Sequence, residues 1–161
     1  MKTNTRFILL TCLLLCFYAC DRKPYPQSLI IADSLASIQP DSAIALLKTL
    51  EDNIKTESES TQMYYRLLCI KANDKAYIRH TSDSLILLVL HYYIEKRDER
   101  HLPEAYYYAG RVYRDLEDAP QALDYFEKAI ETLPEDANYR LRSKIYSPVS
   151  YTHLRAHETL R

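Results

Sequence analysis

The sequence predicts an all-α fold built from antiparallel helix pairs. Two observations carry this expectation. Only one glycine occurs in 161 residues, and glycine is what supplies positive φ to tight hairpins and phosphate-cradling loops. One glycine cannot build a GxGxxG or Walker loop, and it argues against an all-β domain. The second observation is punctuation. Prolines and polar clusters recur between apolar stretches of similar length, so short links join helices that must fold back on their neighbours. With 47% hydrophobic and 27% charged residues, disorder is excluded. A formal net charge of −1 offers no field for nucleic acid.

The N-terminus reads as an export signal. Lys2 and Arg6 precede the apolar run Phe7–Ala19, whose 13 residues fall short of the about 20 needed to span a bilayer. The run ends Phe17-Tyr18-Ala19-Cys20, which resembles a bacterial lipobox although Phe17 and Tyr18 depart from its usual residues. The resemblance implies a signal peptide over 1–19, lipidation of Cys20, which provides stable anchoring through several acyl chains, and a tether over 20–27. Cys12 and Cys16 would leave with the signal, and Cys69 would remain as a free thiol outside any disulfide framework.

Six helices follow. Pro24 and Pro26 precede the first, Ser28–Ile38, and Gln39-Pro40-Asp41 stops it. Asp41 is expected to cap the second, Ser42–Asn53, through its carboxylate. After a loop at Lys55–Ser60, a long helix runs from about Thr61 to Tyr77. Thr81 or Ser82 caps the next, Asp83–Lys96. Pro103 sits near the start of a helix ending about Asp115, and Pro120 opens one ending near Leu133-Pro134. Asn138–Ser147 begins a further helix.

Glu104–Asp136 reads EAYYYAGRVYRDLEDAPQALDYFEKAIETLPED. It resembles the tetratricopeptide repeat, W-x2-L-G-x2-Y…A-x3-F…P, at Tyr106, Ala109, Gly110, Tyr113, Ala122, Phe126 and Pro134, with Ala129 at a further small position. Physically, Ala109, Gly110, Ala122 and Ala129 let two helices approach, and Tyr106, Tyr113 and Phe126 are expected to fill the space between that pair and the next. Weaker copies precede it, with Tyr65, Leu68, Cys69 and Ala72 on one helix and Ser84 and Leu88 on the next. Ala43 and Leu47 mark an earlier unit. The small residues Ala43, Ser84 and Ala122 lie 41 and 38 residues apart, longer than the about 34 usual for the family. The resemblance implies a tetratricopeptide-repeat solenoid over 28–147, of about three units and the start of a fourth at Ser143 and Tyr146. The whole is similar to tetratricopeptide-repeat lipoproteins of the Bacteroidetes.

Val149–Thr159 reads VSYTHLRAHET, which resembles one translated frame of a transposase-end sequencing adapter. Residues 148–161 are therefore expected to be non-native, and the natural chain to run on. A fourth unit cut short would leave an apolar face open and the chain prone to aggregate. His153, His157 and Glu158 have metal-ligand spacing on a helix, but they fall in this tail.

Elsewhere the chemistry is thin. Tyr64, Tyr65, Tyr92, Tyr93, Tyr106 and Tyr113 sit in apolar stripes and are expected in the core. His80, His91 and His101 lack ligand spacing, Cys69 is expected to pack rather than react, and no Ser-x-x-Lys occurs. Neither enzyme activity, nor a cofactor, nor a metal is expected. The family resemblance instead implies a concave groove lined by the first helices of each pair, receiving a protein or peptide. On it would lie Met63, Arg66, Ile70, Asn73 and Asp74 from one helix, and Glu104, Tyr107, Arg111, Arg114 and Asp115 from the next. Arg66, Arg111 and Arg114 would grip a carboxylate. The implied function is a membrane-anchored interaction scaffold of the cell envelope, facing the periplasm, as part of a longer signalling protein. An outer-membrane assembly factor and a glycan-capture lipoprotein are the alternatives.

Overall fold

A computed structural model describes residues 24–134 and Ser143. The signal and Cys20, most of the 138–147 helix and the 148–161 tail lie outside the described residues. Six helices are present and no strand occurs among the described residues: α1 Gln27–Ile38, α2 Pro40–Ile54, α3 Glu59–Lys75, α4 Ser84–Glu95, α5 Leu102–Asp115 and α6 Ala119–Glu131. The all-α expectation holds, with helix ends within about two residues of those read from the punctuation.

The starts follow local chemistry. Pro40, Pro103 and Pro120 occupy the first or second position of α2, α5 and α6, where a missing N–H costs nothing. Ser58 accepts a bond from the Thr61 amide at the head of α3, and Asp118 accepts one from the Gln121 amide at the head of α6. Asp41 does not cap α2. Pro40 already begins the helix, so Asp41 falls in its first turn, where its charge suits the dipole. At α4 the Ser82 hydroxyl accepts from the Ser84 amide, while Asp83 turns its carboxylate to the Tyr113 hydroxyl at 2.7 Å.

The ends share one device. Tyr77, Arg97 and Glu117 have φ of 60°, 51° and 67° just past α3, α4 and α5. In each case the next amide bonds back five residues: Ile78 to Asn73, Asp98 to Tyr93 and Asp118 to Tyr113. This is the Schellman closure, which favours glycine at the left-handed position; this chain closes three with side-chain-bearing residues.

Each helix packs on its chain neighbours across short links, which sets neighbours antiparallel. The odd helices also touch in the order α1–α3–α5. Two cores result, and α3 serves both. Its Tyr64, Leu68 and Ala72 face Leu29, Ala32 and Ala36 of α1 and Ala43 and Leu47 of α2. Its Met63, Leu67 and Ile70 join Ile86, Val89, Leu90 and Tyr93 of α4 and the buried faces of α5 and α6.

The α5/α6 pair is close-packed. Ala109, Ala122, Phe126 and Ala129 are fully buried, and a Cβ on Gly110 would lie 2.5 Å from Phe126 ring carbons. The α4 helix departs from expectation: Ser84 and Leu88 point outward, with Leu88 43% exposed. The stripe Ile86, Val89, Leu90, Tyr93 repeats at i, i+3, i+4, i+7 and buries far more apolar surface than a face carrying Ser84. Of the six tyrosines expected in the core, Tyr64 and Tyr93 are buried, whereas Tyr65, Tyr92, Tyr106 and Tyr113 are half-buried.

Before α1, Tyr25 stacks on Tyr64 at 4.2 Å between ring centroids and meets His101 edge-on. His101 is buried, stacks on Tyr93 and pairs with Asp98 at 3.1 Å. The segment leading into α1 is thereby fastened to the end of the bundle holding the head of α3 and the α4–α5 turn.

Candidate functional site

Helices α1, α3 and α5 are joined by buried charges. The Lys71 ammonium, on α3, donates to Asp33 of α1 at 2.6 Å and to Glu104 of α5 at 2.8 Å. Asp33 also accepts from the Tyr64 hydroxyl at 3.0 Å. Burial opposes the Lys71 charge, but Glu104 and Asp33 outweigh it and raise its pKa above the ordinary lysine value. One turn further along α3, Asp74 accepts from Arg111 Nε at 2.6 Å, with Arg114 Nη2 3.8 Å away. Arg114 also bonds Asp115 at 2.8 Å.

This geometry corrects the expected groove. Met63, Ile70 and Tyr107 are buried in the core, because α4 and α6 cover the sides of α3 and α5 on which they stand. Asp74 is buried beneath Arg111. The Arg111 and Arg114 guanidiniums, expected to grip a partner's carboxylate, are already engaged by Asp74 and Asp115 of the same chain. Glu104 is held by Lys71. The ten residues therefore do not form one surface.

Arg66 and Asn73 lie elsewhere, on a half-exposed strip of α3 that runs from Gln62 through Tyr65, Arg66 and Cys69 to Asn73. The strip forms the floor between α2 and α4. Near its start a cavity of about 190 Å³ is lined by Glu51, Ile54 and Lys55 of α2, by Tyr65, Arg66 and Cys69, and by Leu85 of α4. Near its end a cavity of about 210 Å³ is lined by Ile70 and Asn73, the loop Ile78–Ser82, Leu85, Ile86 and Val112. Leu85 borders both and is 36% exposed. Arg66 makes no hydrogen bond or ion pair among the described residues, so the strip carries an uncommitted cation in the cavity that the exposed Leu85 borders, with exposed Leu88 one turn further along α4.

Cys69 is a free thiol on this floor. Burial pushes it up to about 11, so at neutral pH it is held as the protonated thiol. Among the described residues no group of three or more His, Cys, Asp or Glu side chains could hold a metal ion. No helix there is long and apolar enough to cross a membrane.

The far-end loop is clamped. Arg79 donates to the Asp115 carbonyl at 2.7 Å and to Glu117 at 2.8 Å, and the His80 amide donates to the Asp115 carboxylate at 3.1 Å. Four buried side-chain atoms lack partners among the described residues: Asp74 Oδ2, His80 Nε2 and the hydroxyls of Tyr93 and Tyr108. Sequence reasoning missed Asp33, Lys71, Arg79 and Tyr25. For the first two a signal existed, a charge inside an otherwise apolar helical stripe. For the others no local pattern marked them.

No family model, no curated protein and no solved structure matches this chain.

Proposed function

We propose that this chain is a protein-interaction scaffold, anchored to an envelope membrane through lipidated Cys20, whose α3 strip receives a peptide segment of a partner protein. The observation that carries it is the open floor between α2 and α4, where Arg66, unpaired among the described residues, shares a cavity with Leu85, and exposed Leu88 follows one turn along α4. A partner with an acidic residue spaced from apolar side chains would satisfy both features. Helix-hairpin stacking of the tetratricopeptide-repeat type would suit the scaffold reading. The α1–α3–α5 row, the Gly110–Phe126 approach and the small residues at 109, 122 and 129 are what such stacking needs. The docking position differs from the groove usual to that family, because this chain neutralises its own α3–α5 arginines.

Anchoring gives the ends of the bundle different surroundings. Tyr25 stands five positions after Cys20, so the tether spans at most about 18 Å. It is pinned beside the head of α3, which would place that end toward the bilayer and the α3–α4 loop away from it, facing the periplasm.

Peptide selection against the full chain, followed by titration of the selected peptides, tests the reading. Arg66→Glu and Leu88→Asp should each weaken binding at least tenfold with thermal midpoints unchanged. Peptides indifferent to both substitutions would sink it.

A further inference from the structure

The outward side of α1 carries no charge. Its exposed residues are Gln27, Ile30, Ile31, Ser34, Ser37 and Ile38, a contiguous strip at helical spacing. Ile30 and Ile31 are 44% and 46% exposed, and Ile38 is 77% exposed. The Ser34 hydroxyl donates to the Ile30 carbonyl at 3.1 Å, so it can leave water at little cost. The one charged residue of α1, Asp33, is turned to α3, where Lys71 and the Tyr64 hydroxyl hold its carboxylate. Leu29, Ala32 and Ala36 fill the core on the opposite side. A short helix with apolar residues on both sides has a second surface to cover.

What covers it follows from where the chain enters. The apolar run Phe7–Ala19 and Cys20 precede α1 in the sequence. Membrane attachment ends at Cys20 whether a lipid on that residue or the run itself supplies it. Tyr25 stands five positions on, at most about 18 Å away, and its ring is fixed on Tyr64 and His101. Gln27 begins α1 two residues later. The strip therefore starts beside the attachment point and runs about 18 Å along the helix axis. A surface so close to a bilayer, and free of charge, gives up no ionic hydration on meeting it. The other exposed apolar run, Leu87 and Ile94 of α4, is broken by His91 and Glu95.

We propose that the outward strip of α1 lies in the headgroup region of the membrane to which the chain is attached, with Ile30, Ile31 and Ile38 reaching the acyl boundary. This contact rests on the membrane anchoring of the proposed function and adds an orientation to it. The tether alone holds the near end of the bundle to the bilayer. Contact through α1 leans the bundle on that helix, with α3 and then α5 stacked outward. Apolar burial rather than charge drives it, because α1 bears no lysine or arginine.

The test places the photoreactive residue p-benzoylphenylalanine in the full chain, expressed with its signal in a bacterial host. It replaces Ile31 or Ile38 and, as references, the exposed Glu59 at the head of α3 or Glu127 of α6. On irradiation, the Ile31 and Ile38 positions should give adducts of phospholipid mass at least about fivefold more often than either reference. Ile30→Asp should cut the Ile38 adduct by a similar factor, because a carboxylate must stay in water, and should leave the thermal midpoint unchanged. Equal adducts at Glu59 would mean that the near end of the bundle, and not α1, faces the bilayer. That result, adducts to a second copy or another protein, or no adduct at all would overturn the contact. The mass of the peptide holding residue 20 separates the two readings. A chain released from the membrane without lipid defeats anchoring and contact together; a lipidated chain without phospholipid adducts at Ile31 and Ile38 defeats the contact alone.

Discussion

The hairpins α3/α4 and α5/α6 were expected from the sequence to be copies of one pattern, and they close differently. In α5/α6, Gly110 lets the Phe126 ring rest where a Cβ would otherwise be, and a link of only Leu116–Asp118 holds the helices together. In α3/α4, Cys69 stands at the matching position and the link extends over Ala76–Asp83. The α4 helix then packs through Ile86, Val89, Leu90 and Tyr93, and the residue matching Phe126, Leu88, faces outward. Closure produces stability in one hairpin; incomplete closure leaves two cavities and an apolar rim in the other. The candidate site belongs to the looser hairpin because its helix floor stays open beside both cavities.

The largest test of this difference is truncation at the two matching positions. Phe126→Ala empties a fully buried site and should cost about 4 kcal/mol, whereas Leu88→Ala should cost less than about 0.5 kcal/mol, both read from urea unfolding. Similar costs would mean that the two hairpins are equally closed. The next test lies on the facing helices. Gly110→Ala forces a Cβ into the Phe126 ring and should destabilise by about 1–2 kcal/mol despite alanine's better helix propensity. Cys69→Ala should change stability by less than about 0.5 kcal/mol.

The left-handed closures are common to both hairpins, so they should respond alike. Tyr77→Gly and Glu117→Gly remove a side chain from φ of 60° and 67°, and each should stabilise by about 0.5–1 kcal/mol in thermal unfolding. A gain in only one hairpin would show that the other residue is retained by contacts of its own. The smallest effect is one of pH. The folded His80 pKa is lowered by desolvation, so its contribution is present above the unfolded histidine value and is lost as pH falls through the folded one. His80 is half-exposed, so the loss should shift the midpoint by only about 2 °C between pH 7.5 and 5. His80→Leu should remove that component, and an unchanged slope would place the acid sensitivity elsewhere.

Much of the fold was written locally. Prolines at helix starts, the small residues of α5/α6 and the alternation of breakers with apolar stripes all act within one turn or one hairpin. They determined an all-helical chain, its helix positions and the tight α5/α6 approach. The candidate site was less legible. Arg66 and Asn73 were expected on one groove with Arg111 and Arg114, whereas they stand on a separate strip of α3 and the two arginines are engaged by Asp74 and Asp115. Tertiary structure decided these points because the ion-pair partners are distant in sequence: Lys71 lies 38 residues from Asp33 and 33 from Glu104, and Asp74 lies 37 from Arg111. Whether such charges meet depends on how the odd helices stack, and on which face α4 turns inward to bury the most apolar area. No periodicity within a single helix encodes either.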